Sequence, residues 1–74
     1  MSRLPNLTAA EMVRVLKRAG FVEHEQRGSY KIFKNSATGC RTVVSMHSGD
    51  IKRSLMKGII RQAGLSEDEF RRYI

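Results

Sequence analysis

The sequence predicts one α+β domain in the order helix, three strands, helix, short helix, with a three-stranded antiparallel sheet and the helices packed on one of its faces. Three observations carry this. Thr8 with Glu11, and Ser66 with Glu69, have the S/T-x-x-E spacing in which each side chain answers the other residue's free backbone N–H at a helix start. Between these signatures the apolar spacing changes from helical to strand-like and back, and glycines stand where the changes occur.

The first helix starts at Thr8, and Ala9, Met12, Val13, Leu16 and Ala19 recur at helical spacing while Glu11, Arg14, Lys17 and Arg18 fall on other faces. Gly20 is placed to end it. Phe21 to Arg27, Tyr30 to Lys34 and Arg41 to Met46 read as strands rich in Phe, Val, Tyr, Ile and Thr. Gly28 and Ser29 form a tight link, and Asn35 to Gly39 a longer loop, so the strands form a meander. Alternation along them is imperfect and does not assign the sheet faces. After Ser48 and Gly49, the residues Leu55, Met56, Ile59, Ile60 and Ala63 form a second helical stripe that Gly64 ends. Met12 and Met56 fall on the stripes, so they read as packing residues rather than an adaptable binding surface. From Ser66, a short last helix brings Phe70, Tyr73 and Ile74 back onto the core.

Seventy-four residues make a single domain over 1–74, because so short a chain buries only about 60% of the surface its unfolded form exposes. Cys40, the only cysteine, excludes an intramolecular disulfide; it reads either as a reactive thiol or as a small strand residue. Neither a charged-then-apolar leader nor an apolar run of membrane-spanning length is present, so a cytoplasmic location without membrane contact is expected.

The net charge of +7 points to a polyanionic partner, and its distribution sharpens the point. Arg27, Lys31, Lys34, Arg41, Lys52, Arg53, Lys57 and Arg61 lie in one stretch with Asp50 as its only acid, whereas the flanks carry six basic and six acidic residues and cancel. On the second helix Arg53, Lys57 and Arg61 are spaced by four, a ridge that suits a row of phosphates and equally suits plain solvation. No metal-ligand spacing and no Gly-rich phosphate loop is present, so neither metal nor cofactor is expected. His24, between Glu23 and Glu25, reads as exposed. His47, at the end of the third strand, reads either as a proton-exchanging group near a phosphate or as a hydrogen-bonded loop residue. The α-β-β-β-α order is that of double-stranded RNA-binding domains, and fold alone does not settle function.

Read together, the first helix running into Ala19-Gly20-Phe21, then Gln26-Arg27-Gly28-Ser29, Val44 to Gly49 with His47, and Ser54-Leu55 through Ile59 to Ala63-Gly64-Leu65-Ser66 resemble the HicA toxins of bacterial toxin–antitoxin pairs. Those toxins are small ribonucleases that cleave messenger RNA. The resemblance implies a bacterial mRNA interferase and a HicB-like antitoxin that covers its basic face. It also implies a catalytic histidine directly after the Gly-Ser pair, where this chain has Tyr30. The proline that often precedes the family's second matching histidine is absent before His47. An unperturbed imidazole, with a pKa of about 6.5, exchanges protons near neutrality, whereas a phenol near 10 stays protonated. Tyr30 is therefore a poor general base that can still donate a hydrogen bond to phosphate, act as a general acid, or stack on a base; a half-buried strand tyrosine is the alternative. An engineered substitution, a natural loss of cleavage and a different chemistry all fit this departure.

Two readings follow. In one, the chain is a HicA-like toxin with cleavage weakened at Tyr30, Ser29 and His47 are accessory, and Arg27, Gly28, Lys31, Lys34, Arg53, Lys57 and Arg61 contact RNA. In the other it is a non-catalytic RNA-binding module with the same basic residues, and a purely protein-binding role is a third.

Overall fold

The computed structural model describes residues 4–74. Its elements are α1 (Ala9–Arg18), β1 (Val22–Arg27), β2 (Tyr30–Lys34), β3 (Arg41–Ser45), α2 (Arg53–Gln62) and α3 (Glu67–Arg71), the α-β-β-β-α order followed by a short helix. The sheet is antiparallel in the order β1-β2-β3.

Both capping boxes form. Glu11 N donates to Thr8 Oγ1 at 3.2 Å and Thr8 N to Glu11 Oε1 at 2.9 Å; Ser66 and Glu69 repeat the exchange at 3.1 and 3.0 Å. The backbone N–H of Thr8 holds the Glu11 carboxyl below the usual carboxylate range, and that of Ser66 does the same for Glu69. Gly20 and Gly64, with φ of +99° and +73°, end α1 and α2 in the same way. At the first, Phe21 N reaches Leu16 O and Gly20 N reaches Lys17 O; at the second, Leu65 N reaches Ile60 O and Gly64 N reaches Arg61 O. These crossed pairs satisfy carbonyls that a helix end leaves bare.

Met12, Val13, Val15 and Leu16 of α1 pack with Met56, Ile59 and Ile60 of α2 and Ala63 at its end against Phe33 and Val44 on one sheet face. Period-two alternation puts Phe33, Thr42 and Val44 on this face. Thr42 is buried there, and its hydroxyl donates to Gln62 Oε1 of α2 at 2.9 Å, which satisfies the one buried polar side chain among the described residues. Phe70 is fully enclosed, a burial worth about 1.5–3 kcal/mol that holds a five-residue helix too short to persist alone.

Five expectations are corrected. Ile74, expected on the core with Phe70 and Tyr73, is exposed. Leu55 is not on the core stripe but exposed, because it lies roughly 100° around α2 from Met56, and the true stripe is Met56, Ile59, Ile60 and Ala63. Cys40 lies just before β3 rather than in it, half-buried against the core. Phe21 precedes β1 as a buried core residue. Met46 follows β3, although its N–H still bonds Ser29 O. The imperfect alternation has a local cause: Glu23 and Glu25 pair with consecutive residues of β2, leaving His24 as the extra residue of a bulge. His24 is exposed, as expected.

Gly64→Ala is expected to destabilise more than Gly28→Ala in urea unfolding. Both force a side chain into positive φ, a cost of about 1–2 kcal/mol, but only at Gly64 would the new Cβ meet Cys40 Sγ at 2.8 Å, whereas nothing lies within 4 Å at Gly28. Because the Glu11 and Glu69 carboxyls are depressed in the folded state, their contribution is present above the unfolded-state pKa and disappears as pH falls through the folded one. A Glu11→Gln, Glu69→Gln variant, which keeps the cap geometry, should lose less stability on acidification than the parent, measured by thermal unfolding across that range.

Candidate nucleic-acid interface

Gly28 has φ of +58° and Ser29 does not have a positive φ, the pattern of a two-residue hairpin turn with glycine first. This turn sets Arg27 opposite Tyr30, and the next hairpin sets Tyr30 opposite Ser45. The β2–β3 bonds from Met46 N to Ser29 O (2.6 Å) and from Asn35 N to Cys40 O (2.9 Å) fix the ladder's phase. By the two-residue alternation of an antiparallel pair, Thr42 and Val44 bond to β2, whereas the N–H and C=O groups of Arg41, Val43 and Ser45 point away from it. β3 is the sheet's edge, so these groups face a groove instead of another strand.

That groove has a volume of about 610 Å³ and runs between β3 and α2. Tyr30, Val43 and Ser45 form its sheet wall, and Ser54, Leu55, Gly58, Ile59 and Gln62 its helix wall. The loop from His47 to Lys52 closes one end. The start of α2 faces this loop without a side-chain cap or an acid in its first turn, unlike α1 and α3, so its positive dipole end is uncompensated.

The structure thus brings Tyr30 and His47 to one groove, both exposed. Ser29 is half-buried in the turn and Gly28 exposed beside it. The other predicted contacts lie elsewhere. Arg27 pairs with Glu25, whose carboxyl this bond holds low, but stays largely exposed. Lys31 points to the helix-covered side and pairs with Glu23 at 3.4 Å. Lys34 is exposed at the far end of β2. Lys57 and Arg61 are exposed on the flank of α2 turned roughly 120–160° from Leu55. Arg53, counted with them on one ridge, is half-buried: its Nη2 donates to Leu4 O at 3.0 Å and to Asn6 Oδ1 at 3.1 Å. With Ile51 N bonded to Leu7 O at 2.8 Å, this ties the N-terminal segment to the base of α2.

Leu55, Gly58 and Gln62 were not singled out as site residues by the sequence. The one available signal was that Leu55 immediately precedes Met56 and so cannot share the centre of its stripe. Among the described residues, no group of three or more His, Cys, Asp or Glu side chains is placed to hold a metal ion, and no helix is long and apolar enough to cross a membrane.

Fold and site together define a small basic α-β-β-β-α domain that presents an edge groove to a partner. A family model described as "HicA toxin of bacterial toxin-antitoxin" matches residues 9–65, and the chain belongs to that toxin family. Membership implies a toxin–antitoxin system and an antitoxin as protein partner. No curated protein matches the chain.

Arg53→Ala is expected to lower stability by about 1–2 kcal/mol through its lost bonds to the N-terminal segment, whereas Lys57→Ala, on the exposed flank, should stay within about 0.5 kcal/mol of the parent. Chemical denaturation of the two variants checks this.

Proposed function

We propose that this chain is a HicA toxin that binds messenger RNA in the bacterial cytoplasm along the β3–α2 groove, with cleavage weakened because Tyr30 stands where the family carries its catalytic histidine. The observation that carries the reading is that Tyr30 and His47, the two positions matched to family histidines, line the same groove although they stand seventeen positions apart in sequence.

The chemistry follows from the groups at hand. In metal-independent RNA cleavage a ribose 2′-hydroxyl attacks the adjacent phosphorus, the bond to the next nucleotide's 5′-oxygen breaks, and a 2′,3′-cyclic phosphate and a 5′-hydroxyl result. One group must take the 2′-hydroxyl proton and another must give one to the leaving oxygen. His47 offers an imidazole for one of these transfers. Tyr30 offers a phenol, a hydrogen-bond donor to a phosphate oxygen, where the family carries an imidazole base. The pair lacks an efficient second base, which supports binding with slow turnover. Arg27, opposite Tyr30, supplies exposed charge beside the groove, and Lys34, Lys57 and Arg61 add exposed charge farther along the surface for the RNA backbone. The antitoxin, on this reading, is a HicB-like protein that covers the same basic surface.

Tyr30→His is expected to raise cleavage of a single-stranded RNA, and growth arrest on expression, by at least about 10²-fold, the ordinary yield of a positioned acid–base group. A folded variant with no gain would remove Tyr30 from the site. Lys57→Ala with Arg61→Ala should reduce the slope of log affinity against log salt by about 1.4, if both cations contact phosphates of a single strand.

A further inference from the structure

We propose that the β3–α2 groove seats one unpaired nucleobase between the Tyr30 ring and the Leu55 side chain, so that the domain selects single-stranded over duplex RNA. This rests on the RNA-binding reading above and adds to it where a base goes, what grips it and which RNA is excluded.

Three of the five large hydrophobic residues exposed among the described residues converge on this groove: Tyr30 at 52%, Leu55 at 57% and Val43 at 37%. Tyr30 stands on the sheet wall and Leu55 on the helix wall, so a flat ring entering between them meets an aromatic face and an aliphatic one. The volume of about 610 Å³ falls within the roughly 300–1,000 Å³ of sites that enclose small molecules.

The groove's charge points the same way. Lys52 and Asp50 oppose each other in its lining, while Arg27, Lys34, Lys57 and Arg61 all lie outside it. A nearly neutral, largely apolar slot in a chain of net charge +7 suits a strand whose base turns in while its backbone runs over the basic surface outside. The same net charge of +7 disfavours a second copy of this chain as the occupant.

Two further features mark the groove as a seat. Ser45 Oγ is enclosed at its sheet wall with no hydrogen-bond partner among the described residues, and Gln62 has its Oε1 engaged by Thr42 but its amide N–H groups uncommitted. Of the two, the Gln62 amide is the one on an exposed residue of the lining, a donor that matches an acceptor on the hydrogen-bonding edge of a base. Gly58 sits mid-helix, where glycine is unfavourable, and a Cβ there would meet nothing within 4 Å. Packing therefore does not require it; it leaves the helix wall open where a ring would lie. A base stacked inside a duplex cannot enter such a slot. The topology is shared with duplex-binding domains, and the groove reverses the preference.

The test is fluorescence anisotropy at low salt with a labelled single-stranded RNA decamer and the blunt duplex of the same sequence, on the parent chain and on Tyr30→Ala, Leu55→Ala and Gly58→Leu. All three positions are outside the core, so the variants keep the fold, which thermal unfolding verifies. The single strand should bind the parent at least about 10-fold tighter than the duplex. Tyr30→Ala should lose about 5- to 150-fold on the single strand, the range found for a base–aromatic stack, and Leu55→Ala a smaller factor in the same direction, with duplex binding unchanged; Gly58→Leu should lose as much as Tyr30→Ala by filling the slot. Equal binding of both RNAs, untouched by the three variants, would overturn the seat and place RNA on the Lys57–Arg61 flank, leaving the RNA-binding reading intact. No binding of either RNA would remove that reading and the seat together.

Discussion

The register between β1, β2 and β3 is the constraint on which the rest depends. It is set at the Gly28–Ser29 turn, where a single positive φ lets the chain reverse in two residues and places Arg27 opposite Tyr30 and Tyr30 opposite Ser45. A slip of one residue would carry Tyr30 to the helix-covered face and turn Phe33 and Val44 out to water. Because Phe33 and Val44 are fully buried, the core enforces the same register that exposes Tyr30. The position of Tyr30 is therefore stabilised by residues on the opposite face of the sheet.

The groove is then defined by how α2 is held beside the sheet edge. Thr42 ties α2 to β3 near the helix's C-terminal end through Gln62, and Arg53 ties its N-terminal end to the segment before α1. Between these two points, Met56, Ile59 and Ile60 pack inward while Leu55 and Gly58 face the gap. The third strand's unpaired backbone groups lie along the other wall, which explains why an edge that would invite aggregation is tolerated: a recessed edge beside a helix in a chain of strong like charge resists self-pairing.

The fold was legible where local chemistry is self-contained. The two capping boxes, the two glycine helix stops and the Gly-Ser turn each need only neighbouring residues, and all appear where their signatures stand. Tertiary features were not legible in the same way. The bulge at His24 breaks the alternation from which sheet faces are read, and Arg53 resembles its neighbours Lys57 and Arg61 until the N-terminal segment supplies carbonyls within reach. Leu55 was misassigned because a run of Leu and Met satisfies two overlapping helical stripes, and only packing chooses between them. At the site, Tyr30 and His47 were visible through family resemblance, whereas the wall opposite Tyr30 emerged only from the approach of α2 to β3.

The family assignment gives the chain a toxin's place in a toxin–antitoxin pair, and the geometry gathers three of its exposed large hydrophobic residues and an edge strand in one groove lined by Tyr30 and His47. That groove as the point of RNA engagement is the central claim. It is tested most directly by backbone amide chemical-shift mapping as single-stranded RNA is titrated into the labelled protein. The account predicts the largest changes at Tyr30, Val43, Ser45, Leu55 and Gly58. Changes confined to Lys57, Arg61 and their flank, with the groove amides unmoved, would contradict it.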